Sequence, residues 1–212
     1  MKLYSYYRSS AAYRVRIALA LKGLDYDTIP ISLVDNGGEH RTEEYARLNP
    51  QKLIPALMTD DGKVLGQSLA IMEYLEEKYP AIPLLPQEAS ERARVRAMAL
   101  LVAADTHPLN NMRVLKYLTG TLGISEEQKL QWYHHWIREN FAAMERLLQD
   151  EQTGLFCHGD TPTLADCCLV PQVFNAHRFN CDISDFPKIV TIANRCLELE
   201  AFQKASPENN KP

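Results

Sequence analysis

The chain has 212 residues, 46% of them hydrophobic and 24% charged, with a formal net charge of −4. That length allows one large domain or two small ones, at roughly 100–200 residues per domain, and the near-average composition excludes disordered, collagen-like and low-complexity classes. Mild acidity gives no general attraction for nucleic acid or an anionic membrane, and no apolar run approaches the roughly 18 residues of a spanning helix. The aromatic run Lys2–Tyr6 reads as a strand. Ser10 is placed to cap a helix running to about Lys22, with Val15, Ala18 and Leu19 on its apolar face and Gly23 as its stop. Tyr26–Leu33 reads as a second strand, at an edge because it contains Pro30. Thr42–Leu48 forms a short helix ended by Asn49-Pro50. Pro55–Met58 and Lys63–Leu65 flank the turn signal Asp60-Asp61-Gly62, and Ser68 heads a helix to about Lys78. The order β-α-β-α-β-β-α implies a small mixed sheet with helices packed on it.

Character changes at Tyr79–Gln87, where Pro80, Pro83 and Pro86 stop helix and favour extended backbone. A domain boundary falls there, with domains at 1–81 and 88–212. The remainder is helical: Ser90–Leu118, Ser125–Leu148, Thr163–Arg178 and Pro187–Leu197, the first and third bent by Pro108 and Pro171. Met1–Arg8 lacks the apolar core and cleavage site of a signal peptide. The five cysteines, Cys157, Cys167, Cys168, Cys181 and Cys196, form no C-x-x-C pair, and an odd count argues against a disulfide framework; free thiols and a cytoplasmic location are expected.

Three junctions in the first eighty residues have chemical potential. Ser9 and Ser10 lie between the first strand and helix, where a hydroxyl either caps the helix or donates to a thiolate, and where the helix end favours an anion. Ile54-Pro55 opens a strand and is a candidate cis bond, beside which the Ile54 backbone can pair with a peptide-like ligand. Gln67-Ser68 leads into a helix whose N-terminus suits a carboxylate, with Ser68 a candidate cap. Thr163-Leu164-Ala165-Asp166 is a capping box, a structural device. His134 and His135 lack metal-ligand spacing with any partner, so no metal is expected. Cys167-Cys168 should pack inside a helix, and Glu198, Glu200 and Glu208 read as a solvated tail.

Arg8-Ser9-Ser10, Arg14-Val15-Arg16-Ile17-Ala18-Leu19, Ile54-Pro55, Gln67-Ser68-Leu69-Ala70-Ile71, Gly159-Asp160 with Thr163–Asp166, and Leu169-Val170-Pro171-Gln172 together resemble the zeta class of glutathione transferases from end to end. The resemblance implies an α+β two-domain architecture: a thioredoxin-like N-terminal domain that binds glutathione, an all-helical C-terminal domain, and a homodimer. It implies glutathione-dependent cis–trans isomerisation of maleylacetoacetate to fumarylacetoacetate, a step of tyrosine and phenylalanine breakdown. By position it assigns catalysis to Ser9 and Ser10, and glutathione contacts to Ser9, Ser10, Arg14, His40, Ile54, Gln67, Ser68, His107, Asn111 and Arg113. The dicarboxylate substrate falls to Arg8, Arg113 and Arg178, since the arginine fork suits carboxylates. Arg14 and Arg16 also have a structural reading, as salt bridges or caps within their domain. The class often has Cys where this chain has Ala11, which leaves glutathione as the only sulfur nucleophile. Maleylpyruvate is an alternative substrate. Conjugation or dehalogenation of small haloacids, with Tyr6 or Tyr7 as activator, and a non-catalytic glutathione-binding module are the other readings.

Overall fold

The computed structural model describes residues 1–211, apart from the side chain of Asn36. It divides into two compact units: Met1–Leu84 together with Glu198–Pro212, and Leu85–Leu197.

The first unit follows the expected element order. Strands β1 (Lys2–Ser5), β2 (Asp27–Pro30), β3 (Ala56–Met58) and β4 (Val64–Gly66) form one sheet in the order β2-β1-β3-β4. β1 pairs parallel with β2, and antiparallel pairs join β1 to β3 and β3 to β4. Pro30 therefore sits on an edge strand, where its missing N–H costs no ladder bond. Helix α1 (Ser10–Leu21) is buried continuously from Ser10 to Leu19, as suits a helix covered on every side. Its cap is Ser9, one residue earlier than the sequence suggests: Ser9 is extended (φ −71°, ψ 114°) and its Oγ accepts from Ala12 N at 3.2 Å. Gly23, at φ +64°, ends the element in the left-handed conformation that glycine adopts without penalty. Helices α2 (Glu43–Leu48) and α3 (Ser68–Lys78) complete the β-α-β-α-β-β-α order.

The segment after residue 197 departs from the reading of a solvated tail within the helical part. Glu198, Glu200 and Glu208 are exposed, but helix α10 (Glu200–Ala205) between them packs against α1. Phe202 is fully buried, Tyr13 Oη donates to Phe202 O at 3.4 Å, and Arg16 Nε donates to Ala205 O at 2.9 Å. One aromatic residue amid charges carries too little periodicity to announce that contact.

The second unit is helical. The single bent helix expected over 90–118 is instead α4 (Ala89–Leu100), a wider π-helical stretch Leu101–Thr106, one turn α5 (His107–Leu109), and α6 (Met112–Gly120) after a break at Asn110-Asn111. Pro108 explains the sequence of events. It lacks an N–H and its ring crowds the carbonyl four residues back, so the ladder widens before it. Thr106 Oγ1 donates to Leu101 O at 3.0 Å inside the widened stretch. Beyond lie α7 (Glu126–Leu147), α8 (Leu164–Arg178) and α9 (Pro187–Leu197). Cys167 and Cys168 are buried within α8, and the capping box at Thr163 and Asp166 is formed.

Candidate functional site

Strand register decides which residues of the first unit meet. Tyr4 of β1 lies opposite Ala56 of β3, which lies opposite Gly66 of β4. The end of β1, the start of β3 and the end of β4 therefore share one end of the sheet. The Ser9 turn, Ile54-Pro55 and Gln67-Ser68 all emerge there. Ile31 N donates to Ser5 O at 2.9 Å, so the segment carrying His40 leaves from the same end.

The turn between β1 and α1 is fastened from below by Arg16. Its Nη1 donates to Ser5 Oγ at 3.1 Å and its Nη2 to Tyr7 O at 3.0 Å. Burial strips water from this guanidinium and lowers its pKa to about 10, with the nearby Tyr26 and Tyr13 pulling the other way; it remains charged at neutral pH. Arg16 thus takes the structural role. Ser9 is half-buried above it and Ser10 is buried. A hydroxyl that accepts from Ala12 N does so through a lone pair, so the Ser9 proton is not spent in the cap.

The Ile54-Pro55 bond is cis, as the strand-opening proline suggests. The loop before it is held by two residues that sequence reading passes over: Tyr45 Oη and Asn49 Nδ2 each donate to Leu53 O at 2.8 Å. Burial pushes the Tyr45 hydroxyl up to about 12, against the smaller effect of its Asn49 hydrogen bond, so it stays a donor. Asn49 is visible in the sequence only as a helix stop.

Gln67, not Ser68, occupies the cap position of α3, and its side chain makes no cap bond. Its backbone is left-handed (φ 63°), a conformation costing a non-glycine residue on the order of 1 kcal/mol. Gln67 Nε2 donates to Gln51 Oε1 at 2.8 Å, which aims the amide along the loop. Ser68 is buried as the first helical residue, and its Oγ accepts from Arg14 Nη1 at 3.2 Å. Arg14 therefore braces Ser68 rather than facing solvent. His40 is buried with its ring against Gly38, where an added Cβ would come within 2.4 Å of His40 Cε1. Arg8 is exposed, its guanidinium 5.0 Å from the centre of the Tyr7 ring.

In the second unit the break after Pro108 gathers three of the expected residues. Asn111 caps α6 by accepting from Arg113 N at 3.0 Å, and its Nδ2 lies 3.3 Å from His107 Nε2. Arg113 is exposed at the start of α6. Arg178 stands apart from them, exposed at the end of α8 with its guanidinium 5.2 Å from the Phe179 ring centre. His134 Nε2 lies 2.7 Å from Phe179 O. All five cysteines are buried free thiols of this unit, and burial raises the thiols of Cys157, Cys181 and Cys196 above their ordinary value.

This arrangement has parallels among known proteins. Residues 8–78 match the family model of the glutathione S-transferase N-terminal domain. The maleylacetoacetate isomerase of Pseudomonas aeruginosa is 49% identical over 99% of this chain and 97% of its own length. The holo structure of a maleyl pyruvate isomerase, described as a bacterial zeta-class glutathione transferase, superposes with a TM-score of 0.96 at 46% identity, covering 100% of this chain and 99% of that one. The maleylacetoacetate isomerase of Methylobacterium extorquens, crystallised with malonate and glutathione, superposes at 0.95 with 38% identity, over 99% and 98% of the two chains. A β-α-β-α-β-β-α unit with its serine turn, cis proline and Gln-Ser step, followed by helices, is accordingly no isolated solution: the chain belongs to the zeta-class glutathione transferases.

Proposed function

We propose that this protein is a glutathione-dependent isomerase that converts the cis double bond of maleylacetoacetate to the trans bond of fumarylacetoacetate. The observation that carries the reading is the convergence of Ser9, Ile54, Gln67 and Ser68 at one end of the sheet, set by the Tyr4–Ala56–Gly66 register. The donor set there fits glutathione. A serine hydroxyl with its proton unspent suits a thiolate, and the uncapped start of α3 beside the Gln67 amide suits a carboxylate. When bound, glutathione supplies the sulfur nucleophile that adds to the conjugated double bond and departs once that bond has rotated. No cysteine of the first unit competes, since Ala11 stands at the serine turn.

Ser9 is assigned the hydrogen bond that holds the sulfur ionised, with Ser10 as support. Ile54 pairs through its backbone with the cysteinyl part, and Gln67 and Ser68, the latter braced by Arg14, hold the γ-glutamyl carboxylate. His40, His107, Asn111 and Arg113 are further glutathione contacts carried over by position. Arg8, Arg113 and Arg178 hold the substrate carboxylates, and charge that develops on the ketone during addition is stabilised by the same fixed donors. Maleylpyruvate is the second substrate to test, since a structural neighbour bears that name. The reading includes a homodimer working in the cytoplasm; light scattering should then give about twice the 24.1 kDa of the chain.

The assay follows the absorbance of maleylacetoacetate, and separately maleylpyruvate, with and without glutathione. Turnover should require glutathione, and Ser9→Ala should lower kcat/KM by about a hundredfold, the usual cost of removing one donor from developing or stored negative charge. No glutathione-dependent change with either substrate overturns the reading. Loss of turnover in Tyr6→Phe but not in Ser9→Ala overturns the serine assignment alone.

A further inference from the structure

We propose that Asn111 is a positioning residue that fixes the tautomer of His107, holding its proton on Nδ1 and its lone pair on Nε2. The argument starts from a group with no choice. The backbone N–H of Arg113 can only donate, and it points at Asn111 Oδ1 at 3.0 Å. That bond settles which end of the amide is oxygen, an assignment that otherwise rests on the surrounding network. The other end, Nδ2, is then an obligatory donor, and it lies 3.3 Å from His107 Nε2. A donor facing a ring nitrogen requires a lone pair there, so the neutral imidazole carries its hydrogen on Nδ1.

The surroundings keep the amide from turning. Trp132 Nε1 donates to Leu109 O at 3.0 Å and Asn110 Nδ2 to Tyr133 O at 3.0 Å, which ties both residues before Asn111 to α7. Pro108 and the π-helical stretch before it set the place where the backbone leaves the helix, which puts His107 and Asn111 four residues apart across the break. One side chain thus starts α6, places the Arg113 backbone and selects the state of His107. A free imidazole prefers the opposite tautomer, so the hydrogen position is a property imposed by this turn. That His107 contacts glutathione rests on the function proposed above; its tautomer does not.

Asp is as good a helix cap as Asn, yet it replaces the Nδ2 donor with an acceptor. Asn111→Asp should therefore keep the cap and reverse the demand on the ring. Long-range 1H–15N correlation spectra of the full chain, recorded where the imidazole is neutral, read the tautomer directly, and the His107 signals are those lost in His107→Gln. The expected result is Nδ1–H in the parent and Nε2–H in Asn111→Asp, with unchanged circular dichroism. An Nε2–H tautomer in the parent, or the same tautomer in both, overturns the proposal. Asn111→Asp should also raise the KM for glutathione by about five-fold, the loss of roughly one hydrogen bond, with kcat less affected. A flipped tautomer with an unchanged KM upholds the positioning role and removes both His107 and Asn111 from the glutathione contacts.

Discussion

The Ser9 cap leaves room for a second demand that looks exclusive of it in the sequence. A cap needs an oxygen lone pair directed at Ala12 N, and a thiolate needs a hydroxyl hydrogen; one side chain can satisfy both at once. The Ser-Ser turn was legible as a motif, but which serine caps was not, because the cap falls wherever the backbone leaves the extended region, here one residue earlier than composition suggests. Asp166 shows the opposite case, a buried carboxyl with structural work only. It accepts from Cys157 N at 2.9 Å and from Thr163 N and Oγ1 at 2.8 Å each. Burial raises its pKa, outweighing those hydrogen bonds. The folded chain thus holds this proton to higher pH than the unfolded chain, whose carboxyl titrates near about 4. Between that value and the raised one the folded state binds more protons, so this group's contribution to stability falls as pH rises. Urea unfolding across that window should show a downward component in the parent that Asp166→Asn lacks; parallel pH profiles would contradict the sign.

At the scale of elements, α1, α3 and the segment after α3 are tied together by one ion pair. Lys22 Nζ lies 2.7 Å from Glu76 Oε2 and donates to Tyr79 O at 3.0 Å and Ile82 O at 2.8 Å, while Leu84 N donates to the same Glu76 oxygen at 2.9 Å. Both side chains are almost fully buried, at 1% and 7% exposure, so their value lies less in the attraction than in the penalty for parting them. Lys22→Met should cost about 3–5 kcal/mol in urea unfolding, and Lys22→Met with Glu76→Leu should recover much of it. A cost under about 1 kcal/mol for the single change would show that water reaches the carboxylate. The prolines of 80–86 announced a stiff connection, but its anchor was invisible because Lys22 reads as the last residue of a helix and Glu76 as one acid among several. Pro108 likewise announced a disturbance in the 90–118 stretch. A widened turn, a break and a fresh cap at Asn111 were beyond it, since they depend on α7 holding Leu109 and Asn110.

For the whole molecule, a net charge of −4 says little about ligands that are themselves anions. Arg8 is exposed on the first unit, and Arg113 and Arg178 sit exposed on the second. The division near residue 80 was readable from composition, whereas the return of residues 198–212 to the first unit was not, because α10 meets α1 across a separation of 189 residues. Phe202 is the test of that return. Truncating a fully buried phenylalanine costs about 3–5 kcal/mol, so Phe202→Ala should lower the unfolding midpoint and loosen hydrogen exchange along α1. Protection of α1 unchanged in that variant would show that the helix does not depend on its late partner. The same closure has a consequence for synthesis. A ribosome delivers α10 long after α1, their contacting residues lying 189 apart in sequence, while adding roughly 5–20 residues per second. For a time on the order of ten seconds the nascent first unit carries Arg16 without the Ala205 carbonyl and a bare apolar seat for Phe202. That interval makes the uncovered face of α1 a natural client for whatever holds exposed apolar surface in check near the exit tunnel.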